Sequence, residues 1–315
     1  MKHFLNLKDM GKKNAELAFD VAEEIKTRLK RGVCFQPLAG MALAMIFEKP
    51  SLRTRVTFET GMTQLGGHAI SLTREDINLG VRESISDAAK NLERIVDGIM
   101  IRTFAHKRVT DLAKASGIPV INGLTDLLHP CQVLADCFTI REKLGGLGGV
   151  KIAYVGDGNN MTNSWLNASL LFGFNLVVGC PEGYEPDKRI SARAIKKARG
   201  SISFTNDPRE AVSKADVVYT DTWASMGMED EAEERETVFK SFQVNKSLMR
   251  RARKNALFMH CLPAHRGSEV TDEVIDSPNS IVFDEAENRL HVQKAIMVML
   301  MSPSESRGVA TRRDN

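Results

Sequence analysis

Apolar residues change their spacing repeatedly along the chain, and each change marks a new element. Between residues 12 and 30, Leu17, Val21, Ile25 and Leu29 recur every four positions, which predicts an amphipathic opening helix. Residues 41–47 form an unbroken apolar run that ends at charge and proline, the signature of a short strand buried on both faces. Beyond it, Val56, Met62 and Leu65 keep to one helix face. Residues 50–54 are therefore predicted to be the turn from strand to helix, with Ser51 as N-cap. Residues 68–72 alternate as a strand does, 73–82 read as an exposed polar loop, and Ser84 caps a helix that runs to Val96. A strand over 98–101, a helix over 109–116 and a short strand over 119–122 follow. Pro130 then suits the first turn of a helix over 133–144.

The same alternation restarts after the glycine-rich residues 145–149. Strands are predicted over 151–155, 176–178, 216–220 and 257–259, helices over 163–172 and 190–198, and a last strand over 281–283. The acidic residues 229–236 read as a solvated loop or helix start, and a helix with an apolar face covers 287–300. Such alternation predicts an α/β fold of two domains, each a central parallel sheet flanked by helices, joined by interdomain helices. The expected divisions are 1–144, 145–286, a C-terminal helix 287–301 packing back on the first domain, and a flexible polar tail 302–315.

At 315 residues the chain is long enough for two cores, and 43% hydrophobic with 26% charged residues is ordinary for a globular protein. Its 43 basic and 40 acidic residues leave +3, too little to argue for nucleic acid. No apolar run reaches membrane-spanning length. The first 32 residues lack an apolar core before a cleavage site, and Asp20, Glu23 and Glu24 fit poorly with a transit peptide, so a cytoplasmic location is expected. Five scattered cysteines, an odd number without paired spacing, argue against a disulfide framework.

Candidate chemistry gathers at the predicted carboxyl ends of strands, where open parallel sheets bind ligands. In the 51–54 turn, Ser51, Arg53 and Thr54, joined by Arg55, surround free backbone N–H groups at a helix N-terminus and form an oxyanion cradle suited to phosphate. The plainer reading is a helix cap followed by solvated arginines. Arg102, His129 and Gln132 converge on the same sheet edge and strengthen the anion reading. In the second half, Asn160 offers a neutral amide, and Asp221 follows a strand. A dinucleotide fingerprint would need glycine where Met161 stands, so no cofactor is expected. His260, Cys261 and His265 lack a fourth ligand at metal spacing, so no metal is expected either.

Four pieces together resemble the aspartate/ornithine transcarbamoylase family: Ser51-Leu52-Arg53-Thr54-Arg55, His129-Pro130-Cys131-Gln132, Asp221-Thr222-Trp223-Ala224-Ser225-Met226-Gly227 and His260-Cys261-Leu262-Pro263. They stand in the family's order and span nearly the whole chain, and the last two point to ornithine. The resemblance implies carbamoyl transfer from carbamoyl phosphate, bound by the first domain, to the δ-amine of L-ornithine, bound by the second. It implies that Ser51, Arg53, Thr54 and the Leu52 backbone hold the phosphate, and that Arg102, His129 and Gln132 hold the carbamoyl end. Asn160, Asp221, Ser225 and Met226 would bind the α-amino and α-carboxylate groups of ornithine. Cys261 and the Leu262 backbone would lie beside the reacting amine and, with Asn78, contact carbamoyl phosphate, and Arg289 would lie beside the carbamoyl group. The catalytic set would be Arg102, His129, Asp221 and Cys261. A homotrimer is also implied, its sites sharing the 73–82 loop of a neighbouring copy. Leu52 stands where the family most often has Thr, and Asn78 where relatives commonly carry the longer Gln or His.

Overall fold

The computed structural model describes residues 1–224 and 229–302. Two compact units emerge, one formed by Met1–Phe138 with residues 288–302, the other by Thr139–Glu287. The chain passes between them inside two continuous helices, Pro130–Leu144 and Val282–Met301.

In the first unit, β1 (Ala42–Phe47), β2 (His68–Thr73), β3 (Gly98–Arg102) and β4 (Val120–Leu124) form a parallel sheet in the order β2-β1-β3-β4. The two central strands carry the unbroken apolar runs because helices cover both their faces. Leu43, Met45, Ile46, Met100 and Ile101 are all inaccessible to solvent. Register sets Phe47 opposite Arg102, so the turn after β1 emerges beside the end of β3. The Leu52–Gln64 helix follows that turn and buries Phe58 and Met62 completely, each worth about 1.5–3 kcal/mol. Gly61 lets the C-terminal helix approach this one, since a Cβ there would lie 2.9 Å from the Met297 side chain.

In the second unit, β5 (Lys151–Val155), β6 (Asn175–Gly179), β7 (Ile202–Thr205), β8 (Val217–Thr220) and β9 (Leu257–His260) are parallel in the order β7-β6-β5-β8-β9. Thr220 pairs with His260, so Asp221 and Cys261 are the next residues out of adjacent strand ends. Stacked Tyr154 and Tyr219 rings, 5.7 Å apart, and the edge of Trp165 against Tyr219 fill the sheet's core.

Several expectations need correction. Residues 281–283 are not a strand: only Ser280 bridges to Phe258, and the Val282–Met301 helix starts at once with Asp284 and Glu285 in its first turn. A short apolar run carries no period of its own, and acidic residues at a helix N-terminus favour the helix. The edge strand β7 escaped the sequence reading because Ser203 and Thr205 dilute its apolar positions. Part of the 73–82 loop is helical, Arg74–Ile77, closed by a Thr73–Asp76 capping box. The acidic stretch, by contrast, takes the helix-start form of its expectation, leading into an Ala232–Phe239 helix. Among the described residues no helix is long and apolar enough to cross a membrane. Ser225, Met226 and the tail beyond Ser302 lie outside the described residues.

Candidate active site

The N-terminal turn of the Leu52–Gln64 helix is built by a local cap. Ser51 is extended, and its hydroxyl accepts the Thr54 backbone N–H at 3.2 Å. That bond turns the Thr54 side chain inward, where it is wholly buried. Its hydroxyl oxygen accepts Arg289 Nη2 at 2.5 Å and faces Arg102 Nη1 at 3.5 Å. Both guanidinium groups are nearly inaccessible, 4% and 5% exposed, so their charges are concentrated at this one point.

His129, on the residue before the Pro130–Leu144 helix, is buried in the same unit. Burial first, then the charges of Arg289, Arg102 and Arg53, push its pKa well below the usual histidine value. The ring is therefore neutral near pH 7 and offers one donor and one acceptor. Gln132 sits one turn along, its amide donating to Asp136 Oδ1 at 2.8 Å. Cys131 points elsewhere: its thiol donates to the Asn122 carbonyl, and burial pushes it up to about 12, far from reactive.

Not every residue of the first motif joins this cluster. Arg55 pairs with Glu59 at 2.9 Å on the exposed helix face, as positions two apart on a helix demand, and leaves the cradle. The Leu52 side chain is 73% exposed, so only its backbone belongs to the turn. Asn78 is half-buried in a left-handed conformation at the end of the Arg74–Ile77 helix. The sequence reading missed Lys49, a buried cation at the cradle's edge that pairs with Asp126 and lies over the Phe104 ring at 4.3 Å. Those contacts tie together the loops after β1, β3 and β4.

In the second unit, Asp221 is the hub. Its Oδ1 accepts the Cys261 thiol at 3.0 Å and the Thr222 N–H at 2.8 Å, and its Oδ2 accepts Asn159 Nδ2 at 2.9 Å. Asn159 is therefore an amide bound to Asp221. It also caps the Asn160–Ala168 helix, accepting the Met161 and Thr162 N–H groups, while Asn160 is the first helical residue. An Asn pair preceding a helix was the available signal, since either residue suits the cap. Asp157, also overlooked, is buried against Arg235 at 3.1 Å and is pushed up to about 6, chiefly by burial.

His260 supports the following loop from below. Its Nδ1 accepts the Leu262 N–H at 2.9 Å, so a neutral ring carries its proton on Nε2, facing Glu269 Oε1 at 3.2 Å. Leu262 is left-handed at φ 56° and precedes a cis proline. With its N–H committed to His260, Leu262 has only its carbonyl to offer a ligand. His265 instead meets Glu269 at 3.7 Å. One ligand atom each from Asp221, His260 and Cys261 lies within 4.8 Å of the others, the one such metal-compatible group among the described residues. Both His260 nitrogens and the thiol already have protein partners, so this trio is an organised hydrogen-bond cluster rather than an open coordination site.

The family described as aspartate/ornithine carbamoyltransferase, carbamoyl-P binding domain, matches residues 2–142, and its Asp/Orn binding domain matches residues 148–300. The ornithine carbamoyltransferase of Syntrophus aciditrophicus is 51% identical over 300 residues, covering 95% of this chain and 99% of that one. That of Thermococcus kodakarensis is 54% identical over 300 residues, covering 94% and 95%. The solved ornithine carbamoyltransferase of Pyrococcus furiosus superposes with a TM-score of 0.93 at 52% identity, covering 95% of this chain and 97% of that chain.

Proposed function

The chain belongs to the aspartate/ornithine carbamoyltransferase family and transfers the carbamoyl group of carbamoyl phosphate to L-ornithine, giving L-citrulline and phosphate, and we infer which residues do this work. Ser51, Arg53, Thr54 and the Leu52 backbone hold the phosphate at the helix N-terminus. Arg102, His129, Gln132 and Arg289 hold the carbamoyl end. The observation that carries this reading is the buried Thr54 hydroxyl receiving Arg289 beside Arg102, with a neutral imidazole in the same cluster. Such a site binds an anion and stabilises a developing oxyanion without moving a proton.

The acceptor residues are Asn160, Asp221, Ser225 and Met226, which take the α-amino and α-carboxylate groups, with Cys261 and the Leu262 carbonyl beside the δ-amine. An alkylamine has a pKa near about 10, so it must lose a proton before it attacks. Cationic surroundings on the donor favour the neutral amine, and the Asp221–Cys261 pair orients its N–H bonds. The amine nitrogen attacks the carbamoyl carbon, the C–O bond to phosphate breaks, and the departing phosphate takes the nitrogen's surplus proton as it leaves into the 51–54 turn. Orientation and fixed charge supply the rate, with no covalent enzyme intermediate and no metal or cofactor.

The active protein is a cytoplasmic homotrimer in this reading, with Asn78 on the 73–82 loop reaching a neighbouring copy. Its decisive test is carbamoyl transfer from carbamoyl phosphate to ornithine, putrescine, aspartate and N-acetylornithine measured in parallel. Ornithine is expected to give the highest kcat/KM; preference for another acceptor overturns the assignment.

A further inference from the structure

Glu48 and Arg108 form a fork that none of the motifs above contains. Glu48 directly follows β1 and stands three residues before Ser51; Arg108 lies on the His106–Ala115 helix that follows β3. Arg108 Nε donates to Glu48 Oε2 at 3.0 Å and Nη2 to Glu48 Oε1 at 2.6 Å, a two-pronged pair that a lysine ammonium cannot reproduce. The same Nη2 donates to the Leu79 carbonyl, and the guanidinium lies 3.5 Å from where a Cβ on Gly80 would be. Gly80, left-handed at φ +77°, lets the loop backbone close over the fork. The Glu48 carboxylate, only 7% exposed, also accepts the Thr103 hydroxyl, and the Glu48 N–H donates to the Arg102 carbonyl at 2.9 Å.

Three segments meet here: the turn leading to Ser51–Thr54, the strand end bearing Arg102, and the loop bearing Asn78. We propose that Arg108 is a positioning residue for the phosphate-binding turn, acting through Glu48 and the Leu79 carbonyl. A buried carboxylate three residues from an anion cradle would repel phosphate and destabilise the turn if left unpaired. Arg108 cancels that charge and fixes the spacing between the 51–54 turn and Arg102. It also holds Leu79, and with it the left-handed Asn78, in one orientation. The inference rests on the donor-site reading above.

The test uses the full-length protein and its Arg108→Gln, Arg108→Lys and Glu48→Gln variants. Arg108→Gln is expected to raise KM for carbamoyl phosphate roughly 10- to 100-fold while KM for ornithine changes less than twofold. Arg108→Lys, which keeps the charge and loses the fork, is expected to fall between wild type and Arg108→Gln. Calorimetric titration with inorganic phosphate should show the same order without any turnover. A lowered melting temperature with donor KM and phosphate affinity unchanged, in Arg108→Lys or in Glu48→Gln, overturns the proposal. A wild-type protein that transfers no carbamoyl group overturns the donor-site reading instead, so the two failures are distinct.

Discussion

Thr54 and Arg289, 235 positions apart in the chain, meet through a single hydrogen bond of 2.5 Å from Arg289 Nη2 to the Thr54 hydroxyl oxygen. Both groups are buried, so the bond is charge-assisted in a low-dielectric setting and holds the guanidinium in one orientation. Thr54→Ala is therefore expected to lower kcat/KM for carbamoyl phosphate about 100-fold. Thr54→Ser, which keeps the hydroxyl, should retain most activity. Steady-state kinetics of the two variants decide the matter; equal losses would show that the hydroxyl is not what counts.

His129 gives a stability prediction with a definite sign. Burial and three arginines hold its folded pKa well below 6.5, whereas in the unfolded chain it protonates near about 6.5. Below that pH the unfolded state binds more protons, so stability falls as pH drops. Melting temperatures from pH 7.5 to 5.5 should decline more steeply for the wild type than for His129→Gln. Parallel curves would mean that the ring takes up its proton alike in the folded and unfolded chain.

Asp157 behaves in the opposite sense. Its carboxyl rises from 3.8 to about 6, mainly through burial, with Arg235 opposing the shift and Asp221 adding to it. Between those values the folded state binds more protons, so this group's contribution to stability is lost as pH rises through that window. Asp157→Asn should remove that slope. Thermal melts of both proteins from pH 4 to 7 measure it, and identical slopes refute it.

The thiols should divide by environment. Cys131 and Cys180 are both buried and pushed up to about 12, while Cys34 is exposed. Iodoacetamide at pH 8 is expected to modify Cys34 and to leave Cys131 and Cys180 untouched, as peptide mapping would show. Early labelling of Cys131 would contradict its packing.

Cys261 is bound to Asp221 at 3.0 Å, a geometry for orienting an amine rather than for carrying a carbamoyl group. Cys261→Ser should slow turnover and keep measurable activity, because a hydroxyl can donate to the same oxygen. Complete loss, with a carbamoylated wild-type enzyme trapped by mass spectrometry, would sink this role. Activity of the wild type should also survive EDTA, since the Asp221, His260 and Cys261 atoms are engaged with one another and with their neighbours.

The anion turn was legible in the sequence because its causes are local. An extended serine, a hydrogen bond three residues on and an apolar run ending at proline all lie within one short segment, so spacing alone determines them. The buried central strands were legible for the same reason, as were the positions of Arg102, Asp221 and Cys261 at strand ends. Residues whose partners lie far along the chain were decided by tertiary structure. Arg289 reaches Thr54 because Gly61 admits the C-terminal helix, and Cys261 reaches Asp221 because β8 and β9 are neighbours in register. Asn159 reaches Asp221 because the cap position turns its amide toward that carboxylate. Of residues 281–283, apolar without a period, Val282 and Phe283 became helix because the acidic turn they open fits a helix N-terminus. Local hydrogen bonding and periodicity belong to the sequence; which distant charges share a buried site depends on strand order, register and close packing.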